Sequence, residues 1–201
     1  MAVAKKKMKQ QQQQRPPAPW LETLRLSMRD FTLDDFADLY ALNSDPHVMK
    51  YIADGTPSSR ANVAGALQRF IRYPKLYPDL GIWHTSRRDT GAFIGFFALN
   101  YAGRTTDIEI GYRLPRNAWG CGFATEGATA LKHYGFDDLG LDRIIGITHP
   151  DNKASQNVLM KAGLVDRGWG RYYDKRLRLF AADLVPNMRF LCLQVPGYLM
   201  L

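Results

Sequence analysis

The run Arg116-Asn117-Ala118-Trp119-Gly120-Cys121-Gly122-Phe123-Ala124-Thr125 constrains this chain more than any other stretch. It joins residues 107–114, which alternate like a strand, to residues 125–136, which carry a helical period. Gly120 and Gly122 let the backbone turn sharply and approach a ligand with no Cβ in the way. The helix that follows opens with unpaired N–H groups and the positive end of its dipole. Strand, glycine turn and helix together make an anion cradle suited to a pyrophosphate. Two common versions of such a cradle fit poorly. A P-loop ends in Gly-Lys-Ser/Thr, whereas Gly122 is followed by Phe123. A dinucleotide fingerprint needs a glycine-like residue where Thr125 stands and an acid closing the next strand, which here runs out into Thr148-His149-Pro150.

The rest of the chain allows one domain around this turn. Its 201 residues suffice for one well-packed domain and not for two, and 46% hydrophobic with 23% charged residues is a globular balance. No apolar run approaches the roughly 18 residues of a membrane span. The basic start lacks the apolar stretch of a secretory signal, so the cytoplasm is the expected compartment. Two cysteines, Cys121 and Cys192, and four scattered histidines offer neither a disulfide framework nor metal-ligand spacing, and no metal is expected. The net charge of +8 invites a nucleic-acid reading. Five of those charges (Lys5, Lys6, Lys7, Lys9 and Arg15) precede the first acid, Glu22, which leaves +3 for the remainder. A second cluster, Arg167, Arg171, Lys175, Arg176 and Arg178, is diluted by Asp166 and Asp174. It suits an anionic cofactor better than a DNA surface, and neither nucleic acid nor membrane is an expected partner.

Residues 1–19 combine lysines, five consecutive glutamines and a proline-rich end, a composition that predicts a disordered tail ahead of a domain over 20–201. Residues 24–28 alternate like a strand. Thr32, with Asp35 three residues on, marks a helix start that carries Phe36, Leu39 and Tyr40 on one face. Residues 43–56 read as loop. Pro57-Ser58-Ser59 opens a second helix bearing Val63, Leu67, Phe70 and Ile71, with its exit punctuated by Pro74, Pro78 and Gly81. Strands follow over 82–85 and 92–99 with a hairpin turn at 87–91, then over 107–114. Beyond the glycine turn come a helix over 125–136, a strand over 143–148, a helix over 152–162, a strand over 164–173 and a last strand including 188–193. The economical fold class is α/β: a single domain with one mixed, mostly antiparallel sheet flanked by helices.

The glycine turn resembles the coenzyme A pyrophosphate loop of the GNAT acetyltransferases, Gln/Arg-x-x-Gly-x-Gly/Ala, with Gly122 and Ala124 in the last two positions and Trp119 in the first. A tryptophan there, in Trp-Gly-x-Gly-x-Ala followed by Thr-Glu, is similar to the ribosomal-protein N-terminal acetyltransferase (RimJ/RimL-like) branch. Asn152-Lys153-Ala154-Ser155 and Lys161-Ala162-Gly163-Leu164 resemble that branch's Asn-x-x-Ser helix and its exit, and Glu109-Ile110-Gly111-Tyr112 resembles its fourth strand. Cys121 departs from a frequent Lys or Arg, and Leu164 from a usual Phe. The likeness is strong over 107–164, looser from Leu21 and faint after Tyr173.

The resemblance implies an N-acetyltransferase that moves an acetyl group from acetyl-CoA to a primary amine by direct attack through a tetrahedral intermediate, without metal. The acceptor is a protein N-terminus or a small-molecule amine. The loop from Trp119 through Gly120, Cys121, Gly122, Phe123 and Ala124 to Thr125 would hold the phosphates. A bulge at Gly111 would free N–H groups at Ile110, Tyr112 and Leu114 for the pantetheine and thioester. Glu109 either lies on the solvent face or points into the acceptor cleft as a base. Ser155 either protonates the departing thiolate or bonds within its helix. Asn152 is a helix N-cap, an amide contact to the cofactor, or both. Tyr172 and Tyr173 line the acceptor side or belong to the core, and the loop over 43–56, with Asp45 and Asp54, would face the acceptor. Two rival functions carry other signatures. A non-catalytic CoA-binding module would keep the loop without needing Glu109 or Ser155, and a nucleic-acid binder would depend on the tail.

Overall fold

Alternating apolar residues give the central strands two sticky faces. In the computed structural model, which describes residues 20–184, β3 (Gly81–Arg87) sends Ile82 to one face and Trp83 to the other, and β4 (Phe93–Tyr101) does the same with Phe96 and Phe97. Both faces therefore need cover, and helices supply it. The chain opens with β1 (Leu21–Glu22) and β2 (Leu26–Asp30), followed by α1 (Phe36–Ser44), α2 (Pro46–Met49) and α3 (Arg60–Leu76). Beyond β3 and β4 come β5 (Ile108–Arg113), α4 (Phe123–His133), β6 (Arg143–Thr148), α5 (Lys153–Lys161), β7 (Val165–Tyr172) and β8 (Lys175–Asp183).

The eight strands form one sheet in the order β1-β2-β3-β4-β5-β6-β8-β7. Every neighbouring pair is antiparallel except β5 and β6, which run parallel. One face packs Leu39 and Leu42 of α1 and Val63 and Leu67 of α3 over Ile82, Phe96 and Ala98. The other packs Ala128 and Leu131 of α4 and Leu159 of α5 over Phe97, Ile110, Ile144 and Phe180. The mixed, mostly antiparallel sheet flanked by helices is the expected architecture.

Local signals landed where capping chemistry is strong. Asp35 accepts from the Thr32 N–H at 2.7 Å, and Ser59 caps α3 by accepting from Asn62 N at 3.2 Å. Four expectations need correction. The segment over 43–56 contains α2, whose Pro46 sits in the first turn where its missing N–H costs nothing. Pro74 lies inside α3 rather than ending it: it forfeits the one bond its missing N–H would make, and the ladder resumes beyond it with the Tyr77 N–H on the Tyr73 carbonyl at 3.0 Å. The helix after the glycine turn starts at Phe123 and passes into a π-helical turn at Tyr134–Asp138. The strand β8 was not expected: its basic first half hides an apolar second half that pairs with β6 along its whole length. The tail over 1–19 and the strand expected over 188–193 lie outside the described residues. No helix among the described residues is long and apolar enough to cross a membrane.

Candidate active site

A cleft opens because two parallel strands part. β5 and β6 are paired only at Glu109↔Ile145, while β4 keeps β5 in register from Tyr101↔Ile108 to Phe96↔Arg113 and β8 keeps β6. Past Glu109 the facing edges of β5 and β6 have no ladder partner, so their carboxyl ends form a V. The N-terminus of α4 stands over one arm and that of α5 over the other, a common place for ligands in α/β sheets. This corrects the expected bulge at Gly111. The register of β5 against β4 is unbroken there, and the free edge arises from splaying instead. A register shift does occur between Thr85 and Ser86 against β4, where Gly95 adopts a φ of +118°.

The glycine turn forms one rim of this cleft. Gly120 and Gly122 have φ of +73° and +81°, the left-handed region that glycine occupies without strain. A Cβ at Gly120 would meet nothing within 4 Å, so the turn is open on the outside. The first bond of α4 runs from Glu126 N to the Gly122 carbonyl, which leaves the amides of Phe123, Ala124 and Thr125 without an intrahelical acceptor. Trp119, half exposed, donates its indole N–H to the Leu114 carbonyl at 2.8 Å and so ties the turn to the end of β5. Cys121 is exposed beside it. The turn is therefore open, and the first amides of α4 are left without an intrahelical acceptor.

What holds the turn was missed by the sequence reading. Arg25, just ahead of β2, donates to the Cys121 carbonyl at 3.0 Å and to Glu126 Oε2 at 2.6 Å, and its guanidinium lies 4.5 Å from the centre of the Phe123 ring. Glu126 also accepts from the Thr23 hydroxyl at 2.5 Å and the Arg25 amide at 2.9 Å. These bonds hold the Glu126 carboxyl below the usual carboxylate range against the opposing effect of its burial. The Thr-Glu pair after the loop was visible in sequence, but a partner 101 residues away was not. Three of the basic cluster of the β7–β8 hairpin serve their own strands: Arg178 pairs with Asp166, Arg167 with Asp183 at 2.6 Å, and Arg176 lies over Trp169, while Lys175 donates to the Ala53 carbonyl.

At the base of the V, β5 sorts its residues by face. Ile110 and Leu114 bury their side chains in the α4–α5 core, so only their backbone groups remain for a ligand. Tyr112 stays on that side too and reaches across to α5, where its hydroxyl lies 3.0 Å from both the Ser155 hydroxyl and the Ser155 carbonyl. Burial pushes the Tyr112 phenol up to about 12. Asn152 caps α5 by accepting from Ser155 N at 3.1 Å, as its residue type predicted.

Glu109 faces the other way, toward α3. It is partly buried and has no ion-pair partner among the described residues: its Oε2 is enclosed with no hydrogen-bond partner, and burial raises its carboxyl to about 7. The nearby Tyr173 hydroxyl opposes that rise. Of the acids expected to face an acceptor, Asp45 caps α2 by accepting from His47 N at 2.8 Å, and Asp54 accepts from the Thr56 hydroxyl at 2.7 Å. Both are engaged locally. Elsewhere Asp35, Asp38 and His84 gather within 4.8 Å of one another. Both oxygens of Asp35 already accept from Arg29, at 2.8 and 2.6 Å, so that cluster carries its own cation.

Comparison with known proteins follows the same boundaries. The sequence profile of the acetyltransferase (GNAT) domain matches residues 25–165. The uncharacterised N-acetyltransferase YoaA of Bacillus subtilis is 36% identical over 160 residues, covering 77% of this chain and 88% of that protein. The FsC-acetyl coenzyme A-N(2)-transacetylase of Aspergillus fumigatus is 31% identical over 161 residues, 73% of this chain and 65% of its own. Among solved structures, a ribosomal L7/L12 α-N-protein acetyltransferase in complex with coenzyme A shares the fold at a TM-score of 0.67 and 15% identity, covering 81% of this chain and 96% of its own. Structures without a ribosomal-protein assignment fit as well, so the ribosomal-protein branch is not singled out. The matched span takes in β5, the glycine turn and both helices that frame the cleft: this chain belongs to the GNAT family of acetyltransferases.

Proposed function

We propose that the chain transfers an acetyl group from acetyl-CoA to a primary amine by direct attack, in the cytoplasm and without metal. One observation carries this reading. The splayed β5–β6 edge joins an open, donor-rich helix start at Gly122 to a buried, unpaired carboxyl at Glu109. The first suits phosphates; the second suits a base that works near neutral pH. The name of one relative, an acetyl coenzyme A transacetylase, supports the reading.

In this reading the amides from Gly120 to Thr125 hold the pyrophosphate, with Trp119 and Arg25 fixing the loop. Amides of the unpaired β5 edge, among Ile110, Tyr112 and Leu114, hold the pantetheine and polarise the thioester carbonyl, a contribution of about 3 kcal/mol for one such donor. Glu109 takes a proton from the ammonium group, and the freed nitrogen attacks the carbonyl carbon. As the carbon–sulfur bond breaks, the thiolate takes a proton from the Ser155–Tyr112 hydroxyl pair. The nitrogen sheds its second proton to that hydroxyl pair as the amide forms, and Glu109 gives the first one to solvent.

Cys121 reports on the first half of this scheme. Alkylation of its exposed thiol should slow at least tenfold in saturating acetyl-CoA, read by mass spectrometry of the modified peptide. Equal rates with and without the ligand would place the phosphates elsewhere. The hydroxyl pair is tested separately. Ser155→Ala and Tyr112→Phe should each lower the transfer rate about 10²-fold with acetyl-CoA still bound, within the range for general acid help. Because the two share one hydrogen bond, the double variant should lose little more than the worse single one. Fully multiplied losses would show two independent roles.

A further inference from the structure

The connection from α1 to α3 starts on one arm of the V and reaches the other. Its two ends are pinned together at the carboxyl end of β5. Arg113 donates to the side-chain oxygen of Asn43, near the end of α1, and the Asn43 carbonyl accepts from Ser58 N at 2.8 Å. Between these ends, Val48 of α2 is packed into the core beside α1 and α3. Residues 50–56 are left to reach outward, and none of them is buried.

The far arm offers two groups to that segment. Ile144 packs under α4 and α5, so Ile145 and Ile147 turn to the opposite face of the sheet, the one that carries α1 and α3, and position 149 continues the alternation. Lys175 stands on the same face of β8, an even number of residues from Ala181, the partner of Ile145. The Tyr51 ring stacks on that of His149, with centroids 5.2 Å and planes 27° apart, and Lys175 donates to the Ala53 carbonyl. Ala53 holds a φ of +48°, a left-handed conformation that a residue with a Cβ disfavours. The segment is thus bent out of its preferred shape at the point where Lys175 holds it. It crosses the splayed carboxyl ends of β5 and β6 on the face to which Glu109 also turns, while α4 and α5 begin on the other.

We propose that residues 50–56 are a strap latched across the V by Tyr51 on His149 and by Lys175 on the Ala53 carbonyl, and that a bulky acceptor reaches the thioester only when the latch opens. This rests on the acetyl-transfer reading given above. Acetyl-CoA arrives from the side where α4 and α5 begin and does not need the strap to move. One stacked pair and one exposed hydrogen bond make a latch weak enough to open locally while the sheet stays folded. While it is closed, the apparent affinity for a bulky acceptor is reduced by the open fraction, and a small amine passes beside it.

Amide hydrogen exchange on the full chain reads the latch without any acceptor. The Ile52 and Gly55 amides bond within the strap's own turns, to the Met49 and Ile52 carbonyls at 2.8 and 2.7 Å. Both should exchange about tenfold faster in Tyr51→Ala and in Lys175→Ala, with β5 and α4 unchanged, whereas Tyr51→Phe keeps the ring and the wild-type rate. Rates unmoved in both alanine variants would overturn the proposal. Kinetics at saturating acetyl-CoA then read the gate. Tyr51→Ala should raise kcat/KM about fivefold for a short peptide beginning with serine and less than about twofold for ethanolamine, with the Kd for acetyl-CoA unchanged. An equal change for both acceptors, or a fall for the peptide, would make the segment a fixed wall and overturn the gate. No acetylated product from either acceptor, in wild type or variant, would count against the acetyl-transfer reading instead, and the exchange rates would still decide the latch.

Discussion

Glu109→Gln should lower the rate of acetyl transfer at pH 7 by about 10²-fold or more while leaving acetyl-CoA binding intact. The substitution keeps the shape of the side chain and removes the base. In the wild type the rate should rise with pH and level off above about 7, where burial has placed this carboxyl. The variant has no such plateau, and its residual rate should keep climbing as solvent deprotonates the amine unaided. Stability should move in the opposite direction. The folded carboxyl titrates near 7 and the unfolded one near 4.5, so folding holds the proton longer. Below pH 4.5 both states are protonated and the group contributes nothing. Between 4.5 and 7 the unfolded state ionises first, and stability falls as pH rises. Above 7 the penalty is complete, at most about 3 kcal/mol. Gln carries no charge at any pH, so the variant should resist urea better than wild type at pH 8 and equally well at pH 4. A full rate with unchanged pH dependence would make Glu109 a buried structural acid and leave orientation and the carbonyl donor to carry catalysis.

Gly122→Val should abolish the thermal protection that acetyl-CoA confers. A ligand that binds only the folded state at about a hundredfold above its Kd adds about 2.7 kcal/mol. For a domain of this size that is a rise in Tm of roughly 5–10 °C. Gly122 holds a φ of +81° at the mouth of α4, and a Cβ there would stand 3.4 Å from the Arg25 guanidinium. A β-branched side chain in that conformation costs on the order of 1–2 kcal/mol and pushes the turn away from the geometry that aims its amides outward. The protein should still fold, because Gly122 is exposed and its neighbours in α4 pack without it. A scan with and without millimolar acetyl-CoA decides the matter. An undiminished shift in the variant would move the phosphate site off this loop.

Features that depend on one or a few neighbouring residues were legible before any fold was known. Positive φ at Gly120 and Gly122, the caps at Asn152 and Ser59, and the alternation that made β3, β4 and β5 strands are all local. Such preferences act over one turn or one pleat, so the residue types announce them. Tertiary structure alone decided what the candidate site can do. Whether Glu109 meets water or burial depends on which face of β5 meets α3 and on where Tyr173 arrives from another hairpin. Tyr112 finds Ser155 only because β5 and β6 part, and the same parting frees the edge that a bulge at Gly111 was expected to free. Arg25 and Glu126 meet because β2 runs beside the start of α4. Inserting β8 between β6 and β7, with an apolar half concealed behind basic residues, is likewise a choice of register. Partners distant in sequence are selected by the burial and pairing of whole elements, and the free energy that selects them is shared across the sheet rather than held in any one motif.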